Sequence, residues 1–282
     1  MNKIRRIIIC WLVLLVLPVT CSAERSKFLD SAFTFLEDGN PFLKRYNEIN
    51  ETEIESRFPL GCPYFWGGRH ASAILKPVYP SSNSYYYHTD RKYLYGMDCV
   101  GFTRWINDKT GYEQHPKISD LLNRSLYKEC IIRGAAKATG EQLSALLRVG
   151  DLLAIQHISG GFHIGMYCGT LADYGYTAES LPSELIPYLN YPLLIHCSGS
   201  SDYYERYEHY LESGGQTDIL PPYGGVIISI LGVPSSAATS NTPDILDLCM
   251  PCFDLEGYHL QIIDLTQEKQ HRWIRWRQRP ET

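Results

Sequence analysis

Long apolar runs and positive charge are both scarce in this chain of 282 residues. The longest unbroken apolar run covers residues 7–17, and no later run approaches the about 20 residues that a membrane-spanning helix needs. The 26 Lys and Arg residues are outnumbered by 31 Asp and Glu residues, which gives a net charge of −5. Because nucleic-acid binding requires a basic surface, we exclude nucleic acid as a partner and expect no stable membrane span.

The first 23 residues have the composition of a secretory signal. A short basic start precedes the apolar run, and small residues precede Glu24. We therefore predict that residues 1–23 are a signal peptide and that the protein is exported to the periplasm or cell envelope. A retained membrane anchor and lipid attachment at Cys21 are the alternatives. Removal of this segment leaves 23 basic against 31 acidic residues, a net charge of −8.

The nine cysteines do not have the spacing of a disulfide-rich scaffold. Seven remain after residue 23, so in an exported protein at least one is unpaired or pairs with another chain. Cys249 and Cys252 have the spacing of a redox motif but lack its sequence context. We favour a structural disulfide there over a redox or zinc site, and we expect no metal or cofactor.

Helical patterns come first along the chain and strand-like patterns second, which indicates an α+β fold. Helices are predicted in residues 26–57, with a break at 39–41, over 99–107 after the N-cap Asp98, and over 141–147. Short apolar runs predict strands over 151–155, 162–168, 193–197, 226–231 and 259–264. A further helix is predicted over 179–189.

These patterns suggest four segments in a monomeric protein. The signal peptide, residues 1–23, precedes an N-terminal helical segment, residues 24–57. A catalytic domain follows over 58–233, with helices packed on an antiparallel sheet. Residues 234–282 form a linker and a C-terminal extension that packs on this domain, and its end is rich in Trp and Arg. Glycan or anionic polymer binding and plain terminal packing are the two interpretations of that end.

Cys99 is a candidate nucleophile because it lies at the first turn of a predicted helix. A helix N-terminus favours the thiolate, the reactive form of cysteine. His163, in a glycine-flanked strand, is the leading base, and His196 on the next strand is placed to orient it. His157 is a spare base candidate. A buried structural thiol and structural histidines are the simpler interpretations of these residues.

Four sequence segments around these residues favour the catalytic interpretation over the structural one. They are YFWGG at 64–68, GMDCVGF at 96–102, VGDLL at 149–153 and FHIGMYCG at 162–169. In this order they resemble the motifs of the NlpC/P60 cysteine peptidases, bacterial cell-wall hydrolases with a papain-like α+β core. The resemblance extends over about residues 60–200.

The resemblance implies a role for each matching residue. Cys99 matches the nucleophile, His163 the general base and His196 the third, base-orienting residue. Tyr64 matches an aromatic residue beside the nucleophile, and its hydroxyl is a candidate oxyanion donor. Asp98 matches the acid before the nucleophile, either as a helix cap or as a ligand of a substrate amine.

Trp66, in the first motif, is expected to contribute to substrate binding with Tyr64 and Asp98. The sequence departs from the family pattern in three places. His163 and His196 are 33 positions apart, which implies an insertion at 170–192. Val100 replaces the Ser that is common in the family, and the tail after residue 233 matches no motif.

The function implied by this resemblance is hydrolysis of amide bonds in peptidoglycan stem peptides by an exported cysteine endopeptidase. The bond between γ-D-glutamate and the following diamino acid is the expected target. An amidase or acyltransferase acting on another amide or lipid substrate would use the same three residues. A non-catalytic wall-binding module is the remaining alternative.

Overall fold

The protein is represented by a computed structural model. It describes residues 27–34, 48, 76–77, 93–94, 97–138, 140–183, 185–198, 225–231, 245–250, 255–263, 265 and 268–276. The predicted signal peptide, Tyr64 and Trp66 lie outside these residues, as does Cys252, and of Cys249 only the backbone is described. The predictions made for them stay predictions.

The helices lie mostly before the strands in the chain. They are α1 (27–33), α2 (Cys99–Thr110), α3 (Ile118–Leu121), α4 (Arg124–Tyr127) and α5 (Glu141–Leu146). Three short 3-10 helices are found at Ala135–Lys137, Ala172–Tyr174 and Ile186–Tyr188. No described helix is both long and apolar enough to cross a membrane.

Two sheets are described. The small sheet pairs β1 (Lys76–Pro77) with β2 (Tyr93–Leu94). The large sheet contains β3 (Leu152–Gln156), β4 (Phe162–Gly169), β5 (Leu193–Ser198), β6 (Gly225–Leu231), β7 (Ile245–Met250), β8 (Leu255–Ile263) and β9 (Gln270–Ile274). Its strand order is β7-β8-β6-β5-β4-β3-β9.

The large sheet confirms the α+β class and refines the prediction of an antiparallel sheet. Five neighbouring strands, from β9 through β3, β4 and β5 to β6, are antiparallel. Strand β8 then joins β6 in parallel, so the sheet is mixed at that end. Strand β9 lies beside β3, although about a hundred residues separate them in the chain.

Helix α2 packs on β4 and β5, and the main core lies between them. Phe102 and Ile106 project from the helix into this core, where both are fully buried. The helix ends at Gly111, whose φ of 81° is the left-handed conformation that glycine adopts without a steric penalty. A second core lies on the reverse face of the sheet and contains the buried Trp273.

The structure confirms the helix that begins at Cys99 and the five predicted strands, each within a few residues of its predicted ends. The helix predicted over 179–189 is wrong. The described part of this segment contains turns and one 3-10 helix, Ile186–Tyr188. Pro182 and Pro187 explain the error, because proline lacks the N–H group that an α-helix requires.

A buried ion pair ties the last strand to the body of the sheet. Asp151 is 3% exposed in its side chain and accepts two hydrogen bonds from Arg275, at 2.9 and 2.7 Å. Arg275 also donates to the carbonyl oxygen of Leu146 at the end of α5. Burial raises the pKa of Asp151 even with Arg275 beside it, so the carboxylate depends on this partner.

We predict that Arg275→Gln lowers the free energy of unfolding by about 1.5–3 kcal/mol near neutral pH, because a buried carboxylate loses its charged donor. A carboxyl group whose folded-state pKa is raised loses stability as pH rises through its titration. The loss of unfolding free energy caused by Arg275→Gln should therefore be smaller at pH 4 than at pH 7. Urea unfolding at both pH values measures it. The exposed Arg133→Gln is the control, and an equal effect of both variants would contradict the prediction.

Candidate active site

Cys99 is the first residue of α2, and the residue before it caps the helix. Oδ1 of Asp98 accepts a hydrogen bond from the backbone N–H of Gly101 at 2.7 Å. Such a cap satisfies one of the free N–H groups of the first turn. The structure therefore shows Asp98 as a helix cap, and its binding of a substrate amine remains a prediction.

A cysteine on β5 fixes this strand against the start of α2. The thiol of Cys197 donates a hydrogen bond to the carbonyl oxygen of Met97 at 3.0 Å. Cys197 and Met97 are both fully buried. His196, the residue before Cys197, is thereby held at a defined position relative to the turn that leads to Cys99.

The two predicted histidines are in direct contact. Nε2 of His163 on β4 lies 2.7 Å from Nδ1 of His196 on β5. The long segment between them does not separate them, because β4 and β5 pair directly from Met166 and Ile195 onwards. A side chain at Gly165 would collide with Cβ of His196, at 2.9 Å, so a glycine there permits the close approach.

A third polar side chain extends this contact into a buried chain. Nε2 of His196 lies 2.8 Å from Oγ of Ser229 on β6, and Ser229 is fully buried. Sequence reasoning did not identify Ser229, which stands in an apolar strand pattern. A single polar residue within the run Val226–Leu231 was the only signal that could have found it.

His157 lies at the entrance to this group. Its ring stacks on that of His163, with centroids 6.1 Å apart, and its Nδ1 lies 2.8 Å from a carboxylate oxygen of Glu268. The His157 side chain is 40% exposed, His163 is half-buried, and His196 is fully buried. His157 is a neighbour of the predicted base, and its role as a spare base stays a prediction.

The Cys99 thiol is placed differently from the histidines. Cys99 belongs to the core between α2 and the sheet, which also contains Ile164 and Met166 of β4. Alternation along the strand directs His163 to the reverse face. Among the described contacts, no hydrogen bond joins the thiol to His163, and its polar neighbour on β4 is the backbone of Ile164. The Cys99 thiol on α2 thus meets β4 at Ile164, the residue after His163, without a described hydrogen bond to the His163 ring.

Burial keeps these groups neutral in the free protein. It raises the pKa of the Cys99 thiol to about 12, and the nearby Asp98 carboxylate adds to the rise. Burial also lowers the pKa of His163 to about 3, and His157 contributes to that shift. The pKa of His196 is lowered well below its ordinary value for the same reason. The backbone N–H groups at the start of α2 lower the pKa of the Cys99 thiol, as expected at a helix N-terminus, but desolvation is the larger effect in the free protein.

The comparison with protein families agrees with the motifs. Residues 61–174 match the family model of the NlpC/P60 family, which confirms the family that the four sequence motifs predicted. Its members are typically cysteine peptidases and amidases, and the family indicates action on the cell wall. The match contains Cys99 and His163 but ends before His196 and Ser229. No curated protein and no solved structure matches the chain.

We predict that Cys99 of the free protein reacts slowly with iodoacetamide at pH 7. The rate should rise about tenfold per pH unit up to pH 10, because the thiolate fraction grows in that proportion below the pKa. Asp98→Asn should accelerate labelling at each pH, since it removes the carboxylate that raises the thiol pKa. Mass spectrometry of the Cys99 peptide measures the rates. A plateau already reached at neutral pH would instead show a preformed thiolate–imidazolium pair.

Proposed function

Because residues 61–174 match the NlpC/P60 family, we propose that the protein is an exported cysteine endopeptidase that hydrolyses amide bonds in peptidoglycan stem peptides. Cys99 is the nucleophile, His163 the base and His196 the residue that orients it. The bond between γ-D-glutamate and the following diamino acid is the proposed target. The proposal includes a papain-like core, in which a helix that starts at the nucleophile packs on the antiparallel sheet.

The observation that supports this proposal most directly is the hydrogen-bond chain from His163 through His196 to Ser229. A neutral imidazole has one N–H group and one acceptor nitrogen. For Nδ1 of His163 to accept a proton, its N–H must be on Nε2, where it donates to Nδ1 of His196. His196 then has its N–H on Nε2 and donates to Oγ of Ser229. The Ser229 hydroxyl is able to accept at the end of the chain, so the chain is compatible with the tautomer of His163 whose Nδ1 can accept a proton.

Catalysis begins when the thiol proton of Cys99 passes to Nδ1 of His163 as Sγ attacks the substrate carbonyl. The C–N bond then breaks, His163 returns the proton to the leaving amine, and a thioester remains on Cys99. Water activated by His163 hydrolyses the thioester. The backbone N–H of Cys99, in the first turn of α2, is the proposed oxyanion donor, with the Tyr64 hydroxyl as the second.

The separation of Cys99 from His163 in the free protein fits an order of events in which substrate binding completes the site. Catalytic hydrogen bonds are often long in unliganded enzymes and tighten in the substrate complex. The pairing of β4 with β5 that the structure describes begins at Met166, so the start of β4 lies beyond it. The Cys99 thiol meets the backbone of Ile164 there, and on its other side this part of β4 pairs with β3 from Phe162 to Met166.

We predict that Cys99→Ala abolishes release of peptide fragments from purified peptidoglycan, with a loss of at least about 1,000-fold. The reason is that no other group replaces the nucleophile. Cys130→Ala is the matched control, because Cys130 is a free and partly buried thiol outside the site. Digestion of defined muropeptides followed by mass spectrometry measures the reaction and identifies the bond.

Each outcome of that digest discriminates between the functions. Cleavage after γ-D-glutamate that requires Cys99 supports the proposal, whereas cleavage of another amide bond points to an amidase with the same residues. Binding to the wall without cleavage in the unmodified protein would reject the peptidase in favour of a binding module. Full activity of Cys99→Ala would reject Cys99 as the nucleophile.

We predict that Ser229→Ala lowers kcat about 5- to 30-fold with little change in KM, which corresponds to about 1–2 kcal/mol of lost stabilisation. Without the hydroxyl, Nε2 of His196 no longer has the partner that fixes its protonated form. Steady-state kinetics on a muropeptide measure the effect, and ¹⁵N NMR of the imidazoles reports which nitrogen of His196 is protonated.

Ser144→Ala is the control for Ser229→Ala. It also removes one hydroxyl hydrogen bond, of 2.6 Å to the carbonyl oxygen of Asn190, but on the surface. Ser229→Thr retains a hydroxyl group and should recover part of the activity. If Ser229→Ala and Ser144→Ala have equal activity and unchanged imidazole spectra, Ser229 has no role in orienting the base.

A further inference from the structure

A cavity of about 460 Å³ lies beside the edge strand β9, and its lining combines residues of the matched range, such as Arg124, with residues 265–273 beyond it. Its lining includes basic side chains from two parts of the chain, Arg124 of α4 and Lys269 and Arg272 at β9. Trp273 and His271 of the same strand also line it. The lining thus includes two members of the Trp- and Arg-rich end of the sequence, Arg272 and Trp273.

Two hydrogen-bond donors at this cavity have no acceptor. Nη1 of Arg272 and Nε1 of Trp273 are buried, and neither has a hydrogen-bond partner among the described residues. Trp273 as a whole is 1% exposed. Buried donors are almost always paired in folded proteins, because an unpaired one loses its hydration without compensation. Of the two side chains, that of Arg272 lines the cavity together with Arg124, and its unpaired N–H favours a ligand that supplies acceptor atoms.

The charged side chains around the cavity indicate that the ligand is negatively charged. Desolvation lowers the pKa of Arg272, and the like charge of Arg124 lowers it further. The charge of Arg275, which follows shortly after β9, is instead neutralised by an ion pair with the Asp151 carboxylate. Two guanidinium groups near each other without such a partner form a site that an anion would stabilise.

Glu268 is the acidic residue in the lining, and its carboxylate is already engaged. It lies 2.8 Å from Nδ1 of His157. The lining has a formal excess of two positive charges when His271 is neutral, because it contains Arg124, Lys269 and Arg272 against the single acidic residue Glu268. Burial lowers the pKa of His271, which favours the neutral form. This local excess contrasts with the net charge of −5 of the whole chain.

We propose that this cavity is a binding site for an oxyanion, a phosphate or carboxylate group held by the guanidinium groups of Arg272 and Arg124. Guanidinium groups suit such ligands because their planar N–H donors match two oxygen atoms at once. The site goes beyond the proposed amide hydrolysis, since it uses none of the residues of the His163–His196–Ser229 chain.

The test measures anion binding in the full-length Cys99→Ala protein, so its result does not depend on peptidase activity. Inorganic phosphate and acetate are titrated separately at constant ionic strength against chloride, by calorimetry and by the indole signals in NMR. We expect saturable binding of at least one of them, with a shift of the Trp273 indole N–H. The tighter-binding anion identifies the chemistry of the natural ligand.

Three variants make the result specific. Arg272→Gln and Arg124→Gln should each weaken binding about tenfold, because each removes a charge-assisted donor. The exposed Arg133→Gln changes the net charge equally but should bind as the parent protein does. If Arg272→Gln does not fold, Arg124→Gln on the partly exposed helix α4 gives the same test. Equal weakening by all three variants, or binding no better than chloride, would overturn the proposal.

Discussion

The arrangement of this site depends on the 2.7 Å contact between the imidazoles of His163 and His196. It requires β4 and β5 to lie side by side, and it requires a glycine at position 165, where a side chain would collide with His196. Ser229 adds a third strand to the same chain of hydrogen bonds. Three strands of one sheet are thus needed to place a single neutral base, which makes the chemistry sensitive to the register of the sheet.

Desolvation determines the resting state of these groups. In water, a thiol beside a helix N-terminus and an imidazole would ionise more readily, but burial raises the pKa of Cys99 and lowers that of His163. The free protein therefore holds a neutral thiol and a neutral base that are not hydrogen-bonded. The proposed reaction therefore requires the thiol proton to move to the imidazole as the substrate binds.

The last strand connects the two proposals. Strand β9 is fixed to β3 by pairing and by the Arg275–Asp151 ion pair, while Arg272 on the same strand lines the basic cavity. Neighbouring arginines thus have different roles that follow from their partners. Glu268, just before β9, lines the cavity and contacts His157, so the C-terminal residues extend from the sheet edge to the neighbourhood of the predicted base.

The sequence by itself determined the helix start at Asp98 and Cys99, the five apolar strands and the resemblance to the NlpC/P60 family that the match of residues 61–174 supports. Capping, strand patterns and ordered motifs are local signals. It also named His163 and His196. Only the tertiary structure decided that these two touch despite the long insertion and that Ser229 completes their chain. It also decided that Arg275 is paired, while Nη1 of Arg272 has no partner among the described residues. These facts depend on strand order and burial, which bring distant residues together and set their protonation, and no local pattern encodes either.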